Sequence, residues 1–220
     1  VRGESREVET VAGIRRRWGK LYAVTTSGGR RYLVLKDPSS ERFLKEGVGL
    51  DREALELLGG TLARTAGMAL AYRLLAVRDR TEREITTALS REGITTPEVV
   101  GEIIGTLRRQ GYLDDRRLAS HFVQYAAKHK PSGPRLLRRK LRDAGVGEEI
   151  INEEIRGAFS PEREREIAAE LARRKIRGIE DREKAVRRVH GLLSRRGFSE
   201  RVINSICSAI LRGTLTGERE

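Results

Sequence analysis

One cysteine, Cys207, stands in a chain of 220 residues. A lone thiol cannot close an internal disulfide, so a disulfide-stapled scaffold is excluded and a reducing cytoplasm is the expected compartment. No apolar run approaches the ~20 residues that cross a bilayer, and no charged-then-apolar leader opens the chain, so no membrane partner is expected. The three histidines, His121, His129 and His190, are scattered, and no Cys/His spacing of the zinc-binding kind occurs. There is no Walker-type glycine–lysine loop, no GxGxxG and no HExxH. Asp114 and Asp115 are adjacent, so they cannot face each other as an acid/base pair; ahead of a helix they suit its positive end. Neither metal nor cofactor is expected, and the chain reads as a non-enzyme.

What the chain has is charge. Its 45 basic and 32 acidic residues give a formal +13, spread along the whole length and not gathered in one tail. Abundance of both signs describes a folded, salt-laced surface, and the excess favours nucleic acid or an acidic protein groove as partner. From Lys128 to Arg142 there are seven basic residues and no acidic one. Lys128 and Lys130 precede a helix on which Arg135, Arg138, Arg139 and Arg142 fall at i, i+3, i+4 and i+7, a single face. Leu137, Leu141 and Ala144 fall on the other face, which docks the helix. The preceding helix has its apolar face at Leu118, Phe122 and Tyr125.

Residues 1–36 read as β. Val8, Thr10, Ala12 and Ile14 alternate, as do Tyr22 with Val24 and Leu33 with Leu35, which predicts strands near 7–15, 20–26 and 30–36. Ser27-Gly28-Gly29 marks a hairpin turn. Helices near 39–46 and 51–59 are expected to cover the sheet, the second capped by Asp51 and stapled by Leu50 to Leu55. Arg15, Arg16, Arg17, Trp18 and Lys20 admit a nucleic-acid reading, with the indole as a stacking platform. The favoured reading is that Trp18 buries one face of the sheet and the arginines are hydrated at a turn.

From residue 64 the chain is helical and repeats itself. Gly93, Gly145 and Gly197 are spaced by 52 and 52, and the same interval links Leu89, Leu141 and Leu193, then Ile94, Val146 and Phe198. Val99, Ile151 and Ile203 keep the register, followed by Ile103, Ile155 and Cys207, then Leu107, Phe159 and Leu211. These are three tandem repeats of three helices. Each glycine is expected to be a left-handed C-cap, with a helix starting at Thr95, Gly147 or Ser199. Thr81 with Glu84 predicts a capping box, and Ser160-Pro161 a helix start. Cys207 is therefore a small core residue. In the third repeat the basic residues Lys184, Arg187, Arg188 and Arg195 lie on the middle helix.

The stretch GYLDDRRLASHFV followed by SGPRLLRRKLRDAGV resembles the central segment of the RecX family, bacterial regulators of the RecA recombinase. The resemblance rests on Gly111, Tyr112, Leu113, Asp114, Asp115, Ala119 and Phe122 with Gly133-Pro134-Arg135 and Leu141, and extends over roughly residues 68–212. It implies tandem three-helix repeats lying in the groove of a RecA–DNA filament and inhibiting it, with no catalytic residues. The rival helix-turn-helix reading places Glu148, Glu149, Glu153 and Glu154, and in the first repeat Glu98 and Glu102, where DNA phosphates would repel them.

The expected fold is mainly α: three three-helix repeats in an elongated array after a small β-containing domain. The divisions are 1–60, 61–113, 114–159, 160–213 and a tail 214–220. The expected function is a non-enzymatic inhibitor of the RecA recombinase, acting as a monomer on the filament and on single- or double-stranded DNA phosphates. Lys128, Lys130, Arg135, Arg138, Arg139, Arg142, Lys184, Arg187, Arg188 and Arg195 carry that contact. The alternatives are a direct DNA-binding protein with secondary recombinase contact and a protein-interaction scaffold.

Overall fold

The computed structural model describes residues 8–217, the side chains of Ala127 and Lys128 excepted. Residue 7, the expected start of the first strand, and the last three residues of the tail lie outside that set. The chain divides into two compact units, Val1–Asp114 and Asp115–Glu220.

In the first unit, β1 (Glu9–Trp18), β2 (Leu21–Thr26), β3 (Arg31–Leu35) and β4 (Gly49–Leu50) form an antiparallel sheet of order β3-β2-β1-β4. Gly29, at φ 78°, supplies the left-handed residue of the β2–β3 turn. The register slips between Val11 and Gly13, a bulge that changes the alternation read from sequence, so Val11 is buried while Ala12 is exposed. The two-residue β4 had no periodic signal of its own. The expected helix over 39–46 is only a 3-10 turn at Glu41–Phe43. The Asp37 carboxylate accepts from the backbone N–H groups of Ser39 and Ser40, and the Ser40 hydroxyl donates to the Leu35 carbonyl. Those side-chain bonds compete with a helix.

Both faces of the sheet are covered. Val11, Val24 and Val34 pack with Phe43, Ala54 and Leu58, the last two from α1 (Arg52–Gly59), whose Asp51 cap accepts from the Ala54 N–H. Leu21 and Leu33 face the first repeat, α2 (Thr61–Leu75), α3 (Glu82–Arg91) and α4 (Pro97–Arg109). Thr81 and Glu84 form the expected capping box.

The second unit holds α5 (Asp115–His129), α6 (Pro134–Ala144), α7 (Glu148–Ala158), α8 (Pro161–Ile176), α9 (Arg182–Arg195) and α10 (Glu200–Leu211), with one continuous core. Among the described residues, nine helices, α2 to α10, thus make three repeats. Their glycine corners share one geometry. Gly93, Gly145 and Gly197 have φ of 91°, 90° and 76°. The next residue donates its N–H five positions back, Ile94 to Leu89, Val146 to Leu141 and Phe198 to Leu193, at 3.0–3.1 Å. That is a Schellman closure, and the buried apolar residue after each glycine completes it.

Three expectations of detail change. The cap of α4 is Thr96, not Thr95, because Pro97 takes the first helical position. On α5 the buried stripe is Ala119, Val123 and Ala126, flanked by Leu118 and Phe122; Tyr125 is exposed. Leu211 is also exposed, and Ile210 is buried in its place.

Cys207 is buried where the other copies have isoleucine, and burial pushes its thiol pKa up. Cys207→Ser should cost about 1–3 kcal/mol, the penalty of a poorly partnered buried hydroxyl. Urea unfolding measures that loss. Binding per folded molecule should stay unchanged, and a selective loss of binding would contradict a core role.

Candidate polyanion interface

The candidate interface lies where the second repeat meets the third. Pro134 occupies the first position of α6, where no N–H is needed, and Gly133 precedes it in extended backbone. The Gly133 N–H donates to the Arg196 carbonyl at 2.8 Å, and the Arg135 N–H donates to the Gly197 carbonyl at 3.0 Å. The Arg196 guanidinium donates to the Pro131 carbonyl at 3.0 Å. A Cβ on Gly133 would lie 2.4 Å from the Gly197 oxygen, and one on Gly197 would lie 2.3 Å from the Leu136 nitrogen. The Gly133-Pro134-Arg135 run therefore splices α6 onto the glycine corner of the third repeat, backbone to backbone. This satisfies an N–H group that the first helical turn would otherwise leave open.

Out of this joint opens a surface cleft of about 310 Å³ lined by Arg135, Leu136, Arg139, Arg195, Phe198 and Glu200, among others. Arg135 and Arg139 are one helical turn apart on α6, and Arg195 is the last residue of α9. Phe198, fully buried, belongs to the floor. Arg135 and Glu200 approach to 3.5 Å, but both are exposed, and such pairs are weak and screened by salt. Three guanidinium groups against one carboxylate leave two positive charges in excess at the cleft.

The remaining basic residues divide. Arg138 and Arg142 are not in the cleft. Arg138 donates to the Asn152 side-chain oxygen and Arg142 to Glu148, both partners on α7. The Arg142 hydrogen bond holds the Glu148 carboxyl below the usual carboxylate range and raises the arginine's own pKa. Arg116 of α5 reaches Glu153 at 2.5 Å. The acidic α7 is thus matched by arginines of its own unit, and three arginines of the expected four-arginine face, Arg135, Arg138 and Arg142, have partners within the chain.

On α9, Lys184, Arg187 and Arg188 are exposed; Arg187 stands at Arg135's place in the 52-residue register and lies 3.6 Å from Glu183. Lys130 is exposed beyond α5, and the Lys128 side chain lies outside the described residues. Glu200 and Asn152 gave no signal in the sequence, because their role depends on which helices pack together.

The N-terminal cluster resolves differently. Arg17 grips Glu92 with two hydrogen bonds, the Nε one at 2.9 Å, and Glu92 is buried just before the first glycine corner. That bond raises the Arg17 pKa further. Arg17 is therefore structural and not hydrated at a turn. Arg15 and Arg16 are exposed, Arg16 donating to the Gly19 carbonyl. Trp18 is half-buried against the first repeat's core, with the Arg17 and Arg73 guanidinium carbons 4.9 and 5.8 Å from its ring centre. No helix in the described residues is long and apolar enough to cross a membrane.

Residues 114–154 match the family model for the second three-helix domain of RecX. Regulatory protein RecX of Mycolicibacterium smegmatis is 32% identical over 157 residues, covering 69% of this chain and 80% of that protein. Regulatory protein RecX of Streptomyces coelicolor is 32% identical over 134 residues, covering 60% of this chain and 70% of that one. A crystal structure of regulatory protein RecX shares the fold with a TM-score of 0.60 at 24% identity, covering 90% of this chain and 98% of the other. The crystal structure of RecX from Lactobacillus salivarius does so at 0.60 and 19%, over 68% of this chain and 97% of its own. The matched length and the shared three-helix repeats place this chain in the RecX family of regulatory proteins.

Proposed function

We propose that this protein inhibits the RecA recombinase by seating its second and third repeats in the groove of the RecA–DNA filament. The observation that carries this reading is the gathering of Arg135, Arg139 and Arg195 at one cleft with a single opposing carboxylate. Guanidinium forks suit phosphate oxygens, and phosphate contacts position a protein without reading sequence. A regulator that must act anywhere along a filament needs that property. The chemistry requires no catalytic group, metal or cofactor, and the work is done in the cytoplasm by a monomer.

Replacing Arg135, Arg139 and Arg195 together by glutamine tests it. Three lost contacts on a single strand flatten the logarithmic salt slope by about 2 and weaken filament binding by about 100-fold at 0.1 M salt. Surface changes of this kind shift stability by less than about 0.5 kcal/mol each, so the fold should survive. Equilibrium titrations of RecA–ssDNA filaments and of bare ssDNA at matched salt are the measurement. Filament affinity equal to that of the unsubstituted chain would overturn the reading. An equal loss on bare DNA and on filament would instead favour a direct DNA-binding protein.

A further inference from the structure

The corner that carries the cleft in the third repeat has a counterpart in the N-terminal unit, on the sheet. Gly93 presses its backbone against β3 so closely that a Cβ would lie 2.4 Å from the Arg31 carbonyl oxygen. Gly197 makes the equivalent approach to α6 two repeats later. In both places a glycine corner fixes the backbone of an arginine-bearing element, and in both a cleft opens beside it. The one in the N-terminal unit has a volume of about 360 Å³ and is lined by Arg30, Arg31 and Tyr32 on one side and Gly93, Thr95 and Thr96 on the other. Among the described residues no carboxylate lines it, unlike its counterpart with Glu200.

The donors there are placed to act outward. Arg31 is exposed, and its main chain is held by the β2–β3 ladder through its pairing with Thr25. Arg30 is tied by its guanidinium to Glu9, which fixes the position of the turn. Thr96 caps α4 by position but makes no side-chain capping hydrogen bond, so its exposed hydroxyl is free of that duty.

We infer that this cleft seats one phosphate of a nucleic-acid backbone, with Arg31 as the principal cation and the Thr95 and Thr96 hydroxyls as further donors. A phosphodiester offers two non-bridging oxygens, enough to accept from a guanidinium fork and a hydroxyl at once. The β-containing domain then has a binding role of its own beyond covering the first repeat. The inference rests on the reading that this protein contacts nucleic-acid phosphates.

The test uses the full chain and a labelled oligothymidylate, titrated across a salt series. Arg31→Gln should weaken binding about fivefold at 0.1 M salt and reduce the logarithmic salt slope by about 0.7, the loss of one single-strand phosphate contact. Arg15→Gln, equally exposed on β1 but outside the cleft, should change neither, and both variants should melt with the unsubstituted protein. If Arg31→Gln behaves as Arg15→Gln does, the inference falls. It also falls if Arg31→Gln weakens binding to RecA filaments alone, because the cleft then receives acidic protein side chains. If Arg139→Gln weakens oligothymidylate binding and Arg31→Gln does not, this inference fails while the reading of the α6 cleft stands. A chain that binds filaments but has no affinity for oligothymidylate removes phosphate from both clefts.

Discussion

Gly197→Ala should lower the unfolding free energy by about 2–5 kcal/mol, a large effect for one methyl group. Two independent causes add. A left-handed backbone costs an L-residue about 1–2 kcal/mol. The new methyl would also lie 2.3 Å from the Leu136 nitrogen and 2.8 Å from its Cα. Those are backbone atoms at the splice between the second and third repeats, not the yielding end of a long side chain. Relieving such overpacking costs about 1–3 kcal/mol more. Gly178→Ala separates the two contributions. Gly178 also has positive φ, 72°, but a Cβ there meets nothing within 4 Å. It should show only the backbone part, about 1–2 kcal/mol. Urea unfolding of the two variants decides the matter, and equal losses would mean that the splice relaxes freely.

Leu107→Ala should cost about 2–5 kcal/mol, and Phe159→Ala about 3–5 kcal/mol, the range for truncating large buried side chains. Leu107 is wholly inaccessible at the end of α4, among Ile85, Leu89 and Ile103 in the first unit's core. Phe159 ends α7 and is buried in the second unit's core. The informative comparison is Leu211→Ala. Leu211 shares their place in the 52-residue register but is 49% exposed. Its truncation should cost no more than about 0.5 kcal/mol, as for an ordinary surface site. Denaturant midpoints for the three variants check this. A Leu211→Ala loss as large as that of Leu107→Ala would restore the simple repeat reading.

That contrast shows what was legible in the chain and what was not. The glycine corners were legible because their cause is local: a left-handed residue, an apolar residue after it, and a leucine four positions before it. The nine repeat helices and the capping box at Thr81 follow from equally short-range chemistry. Leu211 misled because a 52-residue interval fixes correspondence between copies and not burial: Ile210 closes the α10 stripe where Leu107 and Phe159 close theirs. Tyr125 misled in a similar way, because α5 packs through small residues, Ala119 and Ala126, that carry little hydrophobic signal. The candidate interface was half legible. The basic face of α6 could be read, but its division could not, because Asn152, Glu148 and Glu200 come from other helices and only packing brings them near. Arg17 looked like part of a hydrated cluster because its partner lies 75 residues away.

That separation has a consequence for how the protein is made. Translation delivers about 5–20 residues per second, so Glu92 leaves the ribosome about 4–15 seconds after Arg17. Through that interval β1, β2 and β3 can already pair, since their turns are short. Leu21 and Leu33, however, have no Ile85, Leu89 or Ile103 to pack against. Ala63, Ala66 and Leu70 of α2, which packs along β3, can cover that sheet face first, and Ile85 and Leu89 of α3 add to it as the chain reaches Glu92. Arg17 closing on Glu92 then ties the end of β1 to the C-terminus of α3 while α4, with Ile103, is still to be made.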